Sequence, residues 1–325
     1  MDTLLLRHTD VVRLMEALAL LEDMRGAFRV EAERRLAEPF LLRSAPPGQA
    51  VLELAFPGLL PGIEATSVRV RGSAPVGGPA GGPGARHGVV HLYARETGAL
   101  LAILDAGHLT ALRTGVVGAL AADVLARPES SRVALLGAGP AASLQLKSLR
   151  LVRSLQHVRV YDENPARSLE LAGRLYSALN LPMRPALSVE EAVEDADIVL
   201  ITMAAPEPFL LPGMLRGGTH VTVGEPEAPG LATVSAGLLR QSLVVGDHRA
   251  LHASLGVAAS VGLGAEVLHA ELGEILAGVR PGRGDAGQVT VFSSVGLPFQ
   301  DLVAAWHVYL GARGDDTVPR VDFGA

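Results

Sequence analysis

The chain has 325 residues, 49% hydrophobic and 19% charged, with 37 glycines, 21 prolines and no cysteine. This length suits about two domains, each able to bury its own core. Without cysteine there is no disulfide scaffold, thiolate zinc site or cysteine nucleophile, and a formal net charge of −6 argues against non-specific nucleic-acid affinity, which needs a basic face.

Thr9-Asp10 can cap a helix from Val11 to about Leu36, with Leu14, Leu18, Leu21 and Met24 at helical spacing. Strand-like runs follow at Ala50–Phe56 and Thr66–Val70, and the Gly/Pro-rich stretch Gly77–Gly84 reads as a loop. Gly88–Tyr93 and Ala99–Asp105 form an expected hairpin around Glu96-Thr97-Gly98. A helix over Leu109–Leu125 ends at Arg127-Pro128. Five short apolar runs then alternate with helical patterns: Val133–Leu136, His157–Tyr161, Ala196–Thr202, His220–Val223 and Ser242–Val245. Helical patterns return around Ala265–Ala277 and Leu297–Leu310.

Alternating strands and helices imply a Rossmann-type doubly wound parallel sheet. The expected architecture is α/β: this sheet, over 113–297, inserted in a discontinuous second α+β domain made of 1–112 plus 298–325. No run of 18 uninterrupted apolar residues occurs, and the segment from Met1 to Arg7 does not read as a signal peptide. A soluble cytoplasmic protein with no membrane partner is expected.

The sharpest motif is Val133–Ala142, an apolar strand running into G-x-G-x-x-A and then a helix. Gly137, Ala138, Gly139, Pro140 and Ala141 would bring backbone close to a pyrophosphate, beside the positive end of a helix. A second strand ends in Asp162, at the distance where an acid accepts bonds from the adenosine ribose hydroxyls. Glu163 follows and would repel a 2′-phosphate, favouring NAD; Arg167 could offset that repulsion, leaving NADP open. By topology, Thr202-Met203-Ala204 and Val223-Gly224-Glu225 should line the dinucleotide cleft.

These residues resemble the ornithine cyclodeaminase/mu-crystallin family. The matching segments, in order, are Glu96-Thr97-Gly98, Leu109–Gly115, the Gly137–Ala142 turn, Val160–Arg167, Ala196–Val199, Gly218–Val221, Glu271–Glu274 and Ser294–Leu297. The resemblance implies a nicotinamide-dependent protein for a small amino or imino acid, forming a homodimer through the discontinuous domain. It places Arg113 as the substrate-carboxylate anchor and Ser294 among the cofactor-binding residues.

Other positions depart from the family pattern. Arg69 stands where a lysine is usual, and Arg43 lies two residues late for a second anchor. Glu227 (or Glu225) takes the place of the proton-handling Asp. Arginine is never a proton donor at ordinary pH, so strict ornithine cyclodeamination is not expected. Three readings follow: a ketimine-reductase or cyclodeaminase-type oxidoreductase with an altered pocket, a non-catalytic NAD(H)-dependent binding protein, or an alanine-type dehydrogenase.

Among the histidines, His87 and His91 fall on a strand. His248 and His252, with Asp247, share helical spacing but lack a third ligand, so two surface histidines and no metal are expected. Ser235 and Ser254 lack a G-x-S-x-G elbow.

Overall fold

The computed structural model describes residues 2–34, 38–44, 51–73, 86–224 and 231–323. The chain forms two compact units, Met1–Arg113 with Leu297–Ala325, and Thr114–Gly296. In chain order the elements begin β1 (Thr3–Leu6), α1 (His8–Leu14), α2 (Ala17–Arg34), β2 (Phe40–Ser44), β3 (Val51–Gly58), β4 (Ala65–Ser73), β5 (Arg86–Ala94), β6 (Leu100–Asp105) and α3 (Ala106–Leu125). The second unit continues with β7 (Arg132–Leu136), α4 (Pro140–Leu149), β8 (His157–Tyr161), α5 (Pro165–Leu179), β9 (Met183–Pro185), α6 (Val189–Val193), β10 (Ile198–Ile201) and β11 (His220–Val223). It closes with α7 (Ala236–Gln241), β12 (Leu243–Gly246), α8 (Arg249–Leu255), α9 (Val257–Ser260), β13 (Leu268–Glu271), α10 (Leu272–Leu276) and β14 (Thr290–Ser293). The first unit then resumes as α11 (Pro298–Ala312) and β15 (Arg320–Val321).

The first unit is built on a seven-stranded sheet in the order β15-β1-β6-β5-β4-β3-β2. Strands β2 to β6 pair antiparallel, whereas β1 lies parallel to β6. Residues two apart share a face, and one face is covered: Ala55, Ser67, Arg69, Val90, Leu92, Ala102 and Leu104 are all buried. Helix α11 packs against β3 and β4 there and also against α2, where Phe28 and Phe299 meet edge to face at 5.1 Å. Gly58 lets the start of α11 approach the sheet, since a Cβ there would lie 2.7 Å from the Pro298 carbonyl. On the opposite face Phe40, Leu42 and Leu52 are exposed.

The second unit carries an eight-stranded sheet in the order β13-β12-β14-β11-β10-β7-β8-β9, parallel at every pairing. Strands β10, β11, β12 and β14 are buried throughout, as continuous apolar strands covered on both faces should be. The chain winds one way from β7 to β8 and the other way through β10. The switch point therefore falls at the carboxyl ends of β7 and β10. Helix α3 is long and apolar enough to cross a membrane, but 72% of its most apolar stretch is buried inside the protein, as in a core helix.

Two expected elements change, and one strand is new. The single helix from Val11 breaks at Met15, which is extended, and α1 begins at an Arg7 cap whose amide donates to Asp10 Oδ2 at 3.1 Å. The expected helix over Ala265–Ala277 is instead the strand β13 followed by α10. Leu268 and Ala270 alternate into the core beside β12, and the Glu271 amide starts the helix by donating to Glu274 Oε2 at 2.9 Å. Strand β14, unforeseen, lies between β11 and β12. Leu36, at the end of the expected helix, and the Gly77–Gly84 loop lie outside the described residues.

Candidate active site

The glycine turn follows β7. Gly137 has φ +99, the left-handed region, and a Cβ there would lie 2.5 Å from Thr202 Oγ1 and 3.0 Å from the Met203 amide. Only glycine fits where β10 passes this closely. Thr202 then ties the two strand ends together, its hydroxyl donating to the Leu136 carbonyl at 3.2 Å and the Gly137 carbonyl at 3.1 Å. Gly139 caps α4 and Pro140 opens it. A Cβ at Gly139 would meet nothing within 4 Å, so the space before the helix amides is open.

Asp162, at the end of β8, faces this turn. Its Oδ2 accepts from the Ala138 amide at 2.8 Å and its Oδ1 from the Asn164 amide at 2.9 Å. Each carboxylate oxygen keeps a lone pair for a further donor. Asn164 caps α5 through its side chain, and Glu163 and Arg167 beside it are exposed. Met203 is half-buried and Ala204 exposed, whereas Val223 and Ser294 are buried.

Ser294 belongs to a network absent from the sequence reading. Asp247, just past β12, is buried and accepts from Ser294 Oγ at 2.7 Å, the Val295 amide at 3.0 Å and the Gly296 amide at 2.9 Å. His252 Nε2 lies 3.4 Å from Asp247 Oδ1. Neither ring nitrogen forms an aligned hydrogen bond. Burial alone would raise the Asp247 carboxyl. The imidazole and the Val295 and Gly296 amides outweigh it and hold the group down to about 2. His252 is fully buried, which corrects the expectation of two surface histidines. It fits because Gly246 and Gly256 flank it: a Cβ on either would fall within 2.5 Å or less of the ring. His248 instead caps α8, accepting from the Leu251 amide. Among the described residues no group of three or more ligands could hold a metal.

The first unit holds the arginines. Arg113, on α3, and Arg69, on β4, are both buried and share Asp301 of α11. Arg113 Nε donates to Asp301 Oδ1 at 2.9 Å and its Nη1 to Gln300 Oε1 at 2.8 Å. Arg69 Nη1 donates to the same Oδ1 at 3.3 Å, and its Nη2 to Glu53 Oε1 at 3.2 Å. Glu53 Oε1 also accepts from Arg71 Nη2 at 2.9 Å. Arg113 has five donor hydrogens, and among the described residues its bonds are made by Nε and Nη1 only; Arg69 Nε is buried with no hydrogen-bond partner among them. Guanidiniums buried and held in this way present preset donors able to make charge-assisted hydrogen bonds. Arg43 sits on the edge strand β2, exposed, in register with Glu53. Glu225 and Glu227 lie outside the described residues. Asp301, Gln300 and Glu53 escaped the sequence reading because nothing in their spacing couples them to an arginine far away in the chain.

A parallel sheet wound both ways, with a glycine turn and a strand-end acid at its switch point, defines the fold of the NAD-binding dehydrogenases. Residues 1–316 match the family model of the ornithine cyclodeaminase/mu-crystallin family, and the chain belongs to that family. It is 33% identical over 220 residues to ketimine reductase mu-crystallin of Mus musculus, 68% of each protein being covered. Among solved structures it resembles an archaeal alanine dehydrogenase dimer with bound NAD (TM-score 0.91, 27% identity, 99% of this chain and 100% of that one). It also resembles Thermococcus litoralis Δ1-pyrroline-2-carboxylate reductase in complex with NADH and L-proline (TM-score 0.90, 27% identity, 98% and 100%). The members of the family found in these comparisons are reductases, dehydrogenases and cyclodeaminases.

Proposed function

We propose that this protein is an NAD(H)-dependent oxidoreductase acting on a small amino or imino acid, of the ketimine-reductase or amino-acid dehydrogenase kind. The observation that carries the reading is the Arg113 guanidinium, fixed by Asp301 and Gln300 with Nη2 left over for a substrate carboxylate. Gly137, Ala138, Gly139, Pro140 and Ala141 would hold the pyrophosphate, and Asp162 the adenosine ribose, with Glu163 disfavouring a 2′-phosphate despite Arg167. Thr202, Met203, Ala204, Val223 and Ser294 would complete the dinucleotide's surroundings. The cofactor, when bound, gives or takes a hydride at the substrate α-carbon.

The chain's own residues do the rest. Arg113 fixes the carboxylate in two dimensions, which sets the α-carbon's position. Arg69 supplies a permanent positive charge but no proton, so the proton falls to Glu227 or Glu225. This division supports imine reduction over ornithine cyclodeamination. A binding protein without turnover is the second reading, favoured by the commitment of Arg69 to Asp301 and Glu53. The cysteine-free sequence suits a cytoplasmic setting. The apolar face bearing Phe40, Leu42 and Leu52 suits a homodimer formed through the first unit.

The test is NADH oxidation with cyclic imino acids and with 2-oxo acids plus ammonium, beside ammonia release from ornithine. NADH oxidation that depends on the substrate and on Arg113 supports the reading. Tight NADH binding with no turnover on any substrate favours the binding protein.

A further inference from the structure

The amino end of the sheet in the second unit holds a cavity of about 280 Å³, at the opposite end of β7 and β8 from Gly137 and Asp162. Val133, Val158, Ala192 and Ala196, all buried, line it with apolar surface, and Arg132, His157, Arg159 and Arg184 supply its basic groups. Arg132 is in register with His157, and Arg159 with Arg184. Residues two apart on a strand share a face, so the four stand together on the face where Ala134 packs in one core with Ala192 and Ala196. Two of them are engaged. Arg132 Nη2 donates to Asp197 Oδ1 at 3.3 Å, and Arg159 donates to Glu194 Oε2 and Asp195 Oδ2, each at 3.3 Å. Asp195, the acid on the cavity wall, accepts from Arg216 on its other oxygen at 3.5 Å. Arg184 and His157 are exposed and have no hydrogen bond or ion pair among the described residues. Arg184 nevertheless stands beside Arg159 on the neighbouring strand, where like charges repel.

We propose that this cavity is a second binding site, for a small organic anion with an apolar body: an aryl or branched-chain carboxylate. The carboxylate lies between Arg184 and His157, takes charge-assisted hydrogen bonds from the guanidinium and relieves the repulsion between Arg184 and Arg159. The body lies against Ala192, Ala196 and the first residues of β7 and β8, which removes apolar surface from water. A cavity of this size holds about nine water molecules at ~30 Å³ each, the bulk of about ten non-hydrogen atoms. That admits a single ring or a short branched chain and leaves out a dinucleotide. An inorganic anion would meet the basic groups but leave the apolar wall wet, and a neutral molecule would leave Arg184 unpaired. β7 and β8 are each five residues long, so about 16 Å separates the cavity from the glycine turn. The anion and the dinucleotide therefore bind without excluding each other.

The experiment is isothermal titration calorimetry of the full chain, with and without saturating NADH. Phenylacetate and 4-methylpentanoate are the probes, with 2-phenylethanol and acetate supplying the body alone and the charge alone. The expected result is that at least one of the two probes binds at one molecule per chain, equally with and without NADH. It should bind at least tenfold tighter than 2-phenylethanol or acetate. Arg184→Gln should weaken that binding about tenfold and His157→Gln a few-fold, while Arg113→Lys leaves it unchanged. Arg184 and His157 are exposed, so their variants keep the fold. Binding that survives Arg184→Gln and is lost in Arg113→Lys places the carboxylate at the substrate anchor and overturns the proposal. Displacement of the probe by NADH, 2-phenylethanol binding as tightly as the acids, or no heat with either acid overturns it equally. Each of these outcomes leaves the oxidoreductase reading standing, because turnover is measured separately.

Discussion

Asp247 and Ser294 are joined by a 2.7 Å hydrogen bond in which the serine hydroxyl donates to the carboxylate, both residues being buried. The same carboxylate oxygen takes the amides of Val295 and Gly296, so a single charge organises the segment that leaves β14. Asp247→Asn replaces that acceptor with a group half of which is a donor. Hydrogen bonds to a charged group contribute about 1.5–3 kcal/mol. Chemical denaturation should therefore show a stability loss of about that size. Fluorescence titration should show NADH binding weakened about tenfold, because Ser294 is one of the proposed cofactor residues. Unchanged NADH affinity in a destabilised variant would make the network purely architectural.

Arg113 and Asp301 separate binding from orientation. Lysine at 113 keeps the charge but cannot serve Asp301, Gln300 and a substrate at once. Arg113→Lys should lower kcat/KM at least a hundredfold. Asp301→Asn removes a negative charge beside two guanidiniums and should leave substrate KM unchanged or lower. It should also cut kcat tenfold or more, because the guanidinium is no longer held in place. Steady-state kinetics on one confirmed substrate tests both; a raised KM in Asp301→Asn would contradict the positioning role.

Asp162 sets cofactor choice. Asp162→Ser should raise KM for NADH about tenfold and narrow the gap to NADPH, since the carboxylate that would repel a 2′-phosphate is gone. Glu163 remains, so a full reversal is not expected. A variant whose NADH and NADPH kinetics move together would show that the acid merely braces the turn through the Ala138 amide.

Stability should fall on acidification in a window set by His220. Burial, with the charges of Arg283 and Arg153 nearby, lowers this imidazole to about 3. Its nitrogens are bonded to Thr290 Oγ1 and Thr222 Oγ1 at 2.9 and 3.0 Å. The unfolded chain takes up this proton near pH 6.5, and the folded protein does not. The neutral ring therefore stabilises the fold above that pH. As pH falls from about 6.5 toward 3, stability drops by at most ~1.4 kcal/mol per pH unit. His91, lowered by burial, adds to the same window. Asp247, lowered instead as an acid, matters only below about pH 4. Denaturation midpoints at pH 7, 6, 5 and 4 should trace this slope, and His220→Gln should flatten it.

Phe40 and Leu42 test the assembly. Replacing both with lysine puts two charges on the exposed sheet face while leaving the α11-covered face untouched. Light scattering after size exclusion should move from dimer to monomer mass. A dimer that survives both lysines would place the contact elsewhere.

Much of the second unit could be read from the sequence because its signals are local. A strand, the Gly137–Ala142 turn, a helix and Asp162 follow within a few dozen residues, and each residue acts on its neighbours in the chain. Strand β14 could not be read, since four buried residues carry no period. β13 was concealed because Ala, Glu and Leu favour helix until parallel pairing with β12 overrides that preference. In the arginine cluster the sequence pointed to Arg69, Arg113 and Arg43 but not to their partners. Arg113 bonds to Asp301 across 188 positions, and no local pattern spans that distance. The metal-like spacing of His248 and His252 dissolved for a related reason: one ring caps a helix and the other is buried beside Asp247.

The pair of glycines around His252 makes three positions inherit one another's fate. A side chain at Gly246 or Gly256 would overlap the ring, so neither can change while the histidine stays. Losing the histidine alone leaves a void between two residues without side chains. Drift at this locus is therefore confined to coordinated replacements. Relatives in which all three have changed together would mark a lineage boundary, while single changes should be rare throughout.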